Sequence, residues 1–252
     1  MKLNKKIAEN FYNEFEERGY FVIRNVVKKN ILKKIMNEIK VAKKVDVYLD
    51  QKKNIRRIER IFNKGSKLRE INNKFIKILG KIFQTEYLIF KDKYNAKPPG
   101  GEGFYAHYDG VFKFKDKNGN IKNGWYEYGD KFINILLAID KSNKRNGALE
   151  ISKADKGSFE ELLINTKNNG TPDILKSFEK KKKFRLFKLN EGDVIVFSNT
   201  CAHRSKKNMS NFDRRSLYYT YLPKKNGSKY KMYFFDKKNS KNKNNKSLTG
   251  EI

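Results

Sequence analysis

The chain has 252 residues, 13% of them aromatic, with a formal charge of +30; that length suits one all-β or α+β domain with a substantial core. A single cysteine, Cys201, excludes an intramolecular disulfide and a thiolate-built zinc centre, and no run approaches the roughly 18 apolar residues of a membrane span. The charge admits an anionic partner, such as nucleic acid, a membrane or an acidic substrate, but lysine far outnumbers arginine, the residue whose fork suits phosphate, and the wealth of Lys, Asn and Ile matches an AT-rich coding sequence.

Met1 to Asn10 is basic and lacks the apolar run of a signal peptide, so a soluble, cytoplasmic protein is expected. Residues 6–18 place Ile7, Phe11 and Phe15, with Tyr12 nearby, at helical spacing. Gly19 stops that helix, and Tyr20-Phe21-Val22-Ile23 reads as a strand. A second helix is expected over Lys29 to Lys43, with Ile31, Ile35, Ile39 and Val41 on its apolar side. A third is expected near 66–83, through Leu68, Ile71, Phe75, Ile78 and Leu79.

From Tyr87 the texture changes. Short apolar runs alternate with Gly, Asn and Lys turns: Tyr87–Phe90, Phe104–His107, Phe132–Ile139, Ala148–Ile151, Phe184–Leu189, Asp193–Phe197 and Ser216–Leu222. That pattern predicts a sandwich or barrel of short strands. Residues 114–130 and 156–183 read as long loops, the second with helical turns at Phe159–Leu163 and Ile174–Phe178. Loops of that length in a compact β domain often serve as lids. The tail from Lys224 is basic, Asn-rich and expected to be mobile at its end. No internal repeat or domain boundary is visible. The expectation is one domain, with a mainly helical part (1–86) packed on a β core (87–222) and followed by the tail (223–252).

Chemistry concentrates on the only two histidines, His107 and His203. In His107-Tyr108-Asp109, an extended chain sends residues i and i+2 to the same side, so an imidazole and a carboxylate project together. His203 follows the strand-like run Asp193–Phe197 and is read in the next loop, 94 residues after Asp109, where a β-sandwich can bring it alongside. Two His and one carboxylate form the facial triad of non-haem iron(II) oxygenases; the same set could hold catalytic zinc, or the histidines could be structural. Eleven residues past His203 stands Arg214, next to Arg215. A 2-oxoglutarate chelated to iron leaves a distal carboxylate that needs a buried, planar cation, which an arginine supplies. Spacing alone leaves the two arginines open, since neighbours on a strand face opposite sides.

Four blocks resemble the phytanoyl-CoA dioxygenase family of iron(II)/2-oxoglutarate oxygenases: Phe15 through Gly19 to Val26; Tyr94 through Pro98-Pro99-Gly100-Gly101 to Asp109; Leu136–Asp140 with Asn146–Glu150; and Gly192-Asp193 through His203 to Arg214. The resemblance implies an α+β, mostly β fold: a double-stranded β-helix (jelly-roll, cupin-like) core with N-terminal helices packed on it. It implies iron held by His107, Asp109 and His203, and 2-oxoglutarate anchored by Arg214 with help from Ser205, and contacted by Lys91 and Asn95. Dioxygen completes the cofactor set. Asp109 stands where halogenating relatives carry a small residue, so hydroxylation is implied. Where the family usually has a Pro-Gly-Ser-His type turn, this chain reads Ser152-Lys153-Ala154-Asp155-Lys156, so substrate choice does not carry over.

The leading expectation is a hydroxylase of unactivated C–H bonds in a small molecule, anionic by the sign of the protein's field. Trp125, Tyr126 and Tyr128 are candidates for a lid or pocket wall. The alternatives are an oxygenase acting on nucleic acid or protein, and a non-catalytic basic jelly-roll.

Overall fold

The computed structural model describes residues 3–42 and 46–240. Helix α1 (Lys5–Arg18) starts where Asn4 accepts the Ile7 N–H at 2.9 Å and stops at Gly19, whose φ of 80° lets its N–H reach the Phe15 carbonyl. There follow β1 (Tyr20–Ile23), α2 (Lys29–Val41), β2 (Asp46–Leu49), β3 (Ile55–Glu59), α3 (Ser66–Phe83), β4 (Tyr87–Lys97), β5 (Phe104–His107), β6 (Phe114–Lys115) and β7 (Ile121–Lys122). After a 3-10 turn at Gly124–Glu127 come β8 (Ile133–Ala138), β9 (Leu149–Ala154), α4 (Phe159–Leu163), α5 (Lys176–Glu179) and β10 (Arg185–Leu186). The described chain ends with β11 (Val194–Ser198), β12 (Cys201–Ser205), β13 (Arg214–Pro223) and α6 (Tyr230–Asn239).

The strands form a seven-stranded sheet in the order β1-β11-β8-β13-β4-β3-β2 and a four-stranded sheet in the order β10-β9-β12-β5, with β6 and β7 as a separate hairpin. Neighbours far apart in sequence lie side by side, and all pairings are antiparallel. Strand alternation then sorts the side chains. On the large sheet Ile135, Leu137, Val196, Leu217 and Tyr219 face the helices, and Phe75 of α3 meets the Tyr219 ring edge-on at 5.5 Å. The opposite face of that sheet sends Leu136, Ala138, Ile195 and Phe197 to meet Leu149 and Ile151 of the small sheet. Truncating a ring as buried as Phe75 costs about 3–5 kcal/mol. Among the described residues no helix is long and apolar enough to cross a membrane.

Several expectations shift. β2 and β3 have no counterpart in the sequence pattern, because Arg56, Arg57 and Glu59 are buried where a charged run reads as solvated. The second helix ends at Val41, which is 84% exposed and not on the apolar side; Lys43 lies outside the described residues. The strand from Tyr87 runs on to Lys97, and that from Ala148 is displaced to Leu149–Ala154, which takes in Ser152, Lys153 and Ala154. Only Arg185–Leu186 of Phe184–Leu189 is strand. The 114–130 loop holds the β6–β7 hairpin and the 3-10 turn. Most notably, 230–239 of the expected mobile tail is helix α6, packed on an aromatic cluster with Phe90, Trp125 and Tyr128; residues from 241 lie outside the description.

Candidate active site

The small sheet positions the histidines. His203 is not in a loop: it sits mid-strand in β12, directly opposite His107 of β5, with ring centroids 4.1 Å apart. His107 Nδ1 lies 2.8 Å from the Tyr105 carbonyl and His203 Nδ1 lies 3.0 Å from the Cys201 carbonyl. A carbonyl only accepts, so each Nδ1 carries the proton and each Nε2 offers its lone pair. Just past β5, Asp109 brings Oδ2 to 3.6 Å from His203 Nε2. Ligand atoms of His107, Asp109 and His203 all lie within 4.8 Å of one another.

The intervening Tyr108 points away, as alternation requires, and donates to Asp155 Oδ2 at 2.5 Å. Asp109 is steadied from the large sheet: Thr220 Oγ1 donates to Asn134 Oδ1 at 2.7 Å, and Asn134 Nδ2 donates to Asp109 Oδ2 at 3.0 Å. Gly110 has φ 83°, and a Cβ there would sit 2.5 Å from Trp125, so glycine lets the indole close over the backbone beside Asp109.

Burial lowers the His107 pKa, and burial followed by the neighbouring His107 pushes His203 down to about 3. Both rings are therefore neutral at ordinary pH, the form a metal binds. Burial opposes ionisation of Asp109, but the facing His203 and Lys93 outweigh it and hold the carboxyl below its usual range. Two neutral imidazole nitrogens and one carboxylate, fixed by hydrogen bonds behind them, fit a divalent iron and leave coordination positions open.

The surrounding cavity holds about 70 Å³ of free space and has two ends. At one, Arg214 is buried at 3% exposure, opposite Lys97, and its Nε has no hydrogen-bond partner among the described residues. It stands behind the cavity wall and lines a small neighbouring void, with Leu149 common to the two linings. Arg215 turns outward and is held bidentately by Asp140 at 2.7 and 2.8 Å. Ser205 Oγ accepts from Lys97 Nζ at 2.8 Å, and Lys97 also donates to the Lys206 carbonyl at 2.5 Å. Burial, then Arg214 and Arg56, push Lys97 down to about 5. Sequence reasoning missed Lys97; its signal was its place on the strand that leads into the motif. Asn95 is buried opposite Ser216, with Oδ1 unpartnered among the described residues.

At the other end stand Arg57, Lys91, Lys93 and Lys237, with Glu59 buried among them and with Trp125 and Tyr233 as aromatic walls. Lys91 is therefore six strand positions from Lys97, since it pairs with Thr220 where Lys97 pairs with Arg214. Tyr126 packs on Phe159 at 5.0 Å, and Tyr128 is buried and donates to Asp236, so of the three expected lid aromatics only Trp125 lines the cavity. The long 156–183 segment contributes Pro172 and Asp173 to the rim, and its 172–174 stretch bonds the edge of β5.

With that geometry in hand, the phytanoyl-CoA dioxygenase (PhyH) family profile matches residues 15–216. The chain belongs to this family. Its relatives include the 2-aminoethylphosphonate dioxygenase of uncultured bacterium HF130_AEPn_1, 28% identical over 162 residues, covering 64% of this chain and 55% of that protein. The methylphosphonate hydroxylase of Gimesia maris is 26% identical over 161 residues, covering 64% and 55%. The chain spans about half the length of these curated relatives. Among solved structures, EctD from S. alaskensis with 2-oxoglutarate and 5-hydroxyectoine aligns over 86% of this chain and 76% of its own, with TM-score 0.66 and 15% identity. The epimerase SnoN, in complex with Fe3+, alpha ketoglutarate and nogalamycin RO, aligns over 87% and 85%, with TM-score 0.65 and 11% identity. At such identity these two bear on the fold alone. Family membership and the mostly-β jelly-roll fold are as the sequence resemblance implied, and the His-Asp-His set agrees with iron(II) and 2-oxoglutarate as cofactors.

Proposed function

We propose that this chain is an iron(II)- and 2-oxoglutarate-dependent dioxygenase that hydroxylates an unactivated C–H bond of a small anionic molecule. The convergence of His107, Asp109 and His203, with both Nδ1 atoms tied to carbonyls, is the observation that carries the reading. Those three would hold the metal. When bound, iron with 2-oxoglutarate and dioxygen supplies the hydrogen-abstracting oxidant, with succinate and carbon dioxide as by-products.

The chain's own residues divide the remaining work. Arg214 takes the distal carboxylate of 2-oxoglutarate, with Ser205 and Lys97 beside it and Asn95 one strand pair closer to the metal. Lys91 lies too far away to join them, since six strand positions amount to about 20 Å, well beyond the length of so short a diacid. It belongs to the substrate side, where Trp125 and Tyr233 exclude water. Asp109 fills the place that a halide would need, which favours hydroxylation. The names of the two phosphonate-directed relatives agree with an anionic substrate.

The test is spectroscopic. Metal-free protein, kept anaerobic, receives iron(II) and then 2-oxoglutarate. A weak visible charge-transfer band is expected, lost in His203→Ala. Folded protein that shows no band at saturating iron and 2-oxoglutarate overturns the assignment.

A further inference from the structure

Helix α6 lies beyond residue 216, where the family match ends. It is nonetheless built into the cavity. Tyr230 donates to Asp92 and Tyr128 donates to Asp236, each at 2.7 Å. Tyr233 packs 4.6 Å from the Phe90 ring centroid. So anchored, the helix sends Lys237 into the cavity beside Arg57, Lys91 and Lys93.

Three of these cations, Arg57, Lys91 and Lys237, gather on one carboxylate. Glu59 is wholly buried; Lys237 bonds one of its oxygens, while Arg57 and Lys91 stand 3.6 and 3.8 Å from the other. Lys93 has no hydrogen-bond acceptor among the described residues and lies over the Tyr218 ring at 4.8 Å; burial, then Arg57, push it down to about 7, and the carboxylate it faces is Asp109. Arg57 is 4% exposed, and its Nε has no hydrogen-bond partner among them either. Folded interiors rarely hold cations without counter-charge, so a walled excess of positive charge marks where an anion goes.

We propose that Arg57, Lys91, Lys93 and Lys237 form a subsite for a doubly charged tetrahedral phosphoryl headgroup, a phosphonate or a phosphate monoester. The proposal rests on the oxygenase reading above, whose substrate it specifies. A planar carboxylate offers two oxygens and one charge. A phosphoryl group offers three oxygens and up to two charges, enough for the Arg57 fork and for ammonium groups from both β4 and α6. Lys93 carries the subsite toward the metal, because it faces Asp109 from the adjoining strand position. The headgroup carbon is then presented to the triad.

The test uses the full chain with iron(II) and 2-oxoglutarate, anaerobically, with methylphosphonate, methyl phosphate and acetate as probes read by calorimetry. One of the two phosphoryl probes is expected to bind at least about tenfold more tightly than acetate while the charge-transfer band persists, and the tighter one identifies the source. Lys237→Met and Arg57→Gln should each weaken it by about tenfold or more, and the surface change Lys224→Met by less than about twofold. Should Lys237→Met not fold, Lys93→Met, which breaks no bond to Glu59, gives the same reading. Equal affinity for acetate, insensitivity to these variants, or loss of the band on adding the probe overturns the subsite. A band without phosphoryl binding sinks the subsite and spares the oxygenase reading; Lys237-dependent binding without a band does the reverse.

Discussion

The two ends of the cavity hold their cations in opposite ways. Around Lys97 the donors point at neutral acceptors, Ser205 and the Lys206 carbonyl, and no carboxylate is in contact; burial and two neighbouring arginines drive the ammonium down to about 5. Around Glu59, three cations gather on one carboxylate, and although burial opposes ionisation, Lys237, Lys91 and Arg57 hold that group down to about 2. The first end has no carboxylate of its own in contact. The second carries part of its counter-charge permanently. On the proposals above, the two anions would differ in kind: one would recruit a proton with it, and the other would compete with a resident carboxylate.

The largest expected effect comes from removing that resident charge. Glu59→Gln leaves three buried cations without their partner and should destabilise the fold by about 3–5 kcal/mol, with methylphosphonate raising Tm more than in the parent protein. The pH sign follows: because the folded-state pKa of Glu59, about 2, lies below its ordinary 4.5, its contribution is complete above pH 4.5 and drains away as pH falls toward 2. Acid titration of Tm, parent against Glu59→Gln, checks this; parallel curves would deny Glu59 the role.

Next is Arg214→Ala, which should weaken 2-oxoglutarate by about 10²-fold, read from titration of the charge-transfer band. A smaller effect separates the ends by proton count. Lys97 is neutral near pH 7 before the ligand arrives, and a bound carboxylate favours its ammonium, so 2-oxoglutarate binding takes up a proton and weakens as pH rises, by at most about tenfold per unit. Calorimetry in two buffers of different ionisation heat should show that uptake, and Lys97→Met should abolish it. Smallest is Arg215→Ala: its bond to Asp140 is partly exposed, so about 1 kcal/mol of stability goes and 2-oxoglutarate affinity stays within about threefold. If Arg215→Ala instead loses the co-substrate, the two arginines have been assigned the wrong way round.

What the sequence exposed and what it hid have physical reasons. α3 was legible at both ends because its apolar residues fall on one stripe. The triad was legible because histidine is scarce and His107 and Asp109 share a side of an extended chain. Strand β12 was not, since Cys201-Ala202-His203-Arg204-Ser205 has no β-branched residue and takes its extension from pairing with β9 and β5. α6 hid inside a basic, Asn-rich stretch; its apolar residues fall on every side, with Met232 and Phe235 left half-exposed, so no helical period appears. β3 hid because its arginines are buried against partners that only the fold supplies. The concealed elements are largely those of the cation-rich end, where charge replaces hydrophobic pattern.

The register of His203 against His107 reaches past chemistry. β5 is a four-residue strand that ends the small sheet, joined to β12 on one side and to the 172–174 stretch on the other. An ion gripped by both histidines is a rivet through that edge, and by mass action each tenfold of metal above its dissociation constant adds about 1.4 kcal/mol in favour of the folded chain. A metal held there would thus lend this end of the sheet stability that the bare chain lacks, to be read as a rise in Tm when iron(II) is added to the metal-free protein.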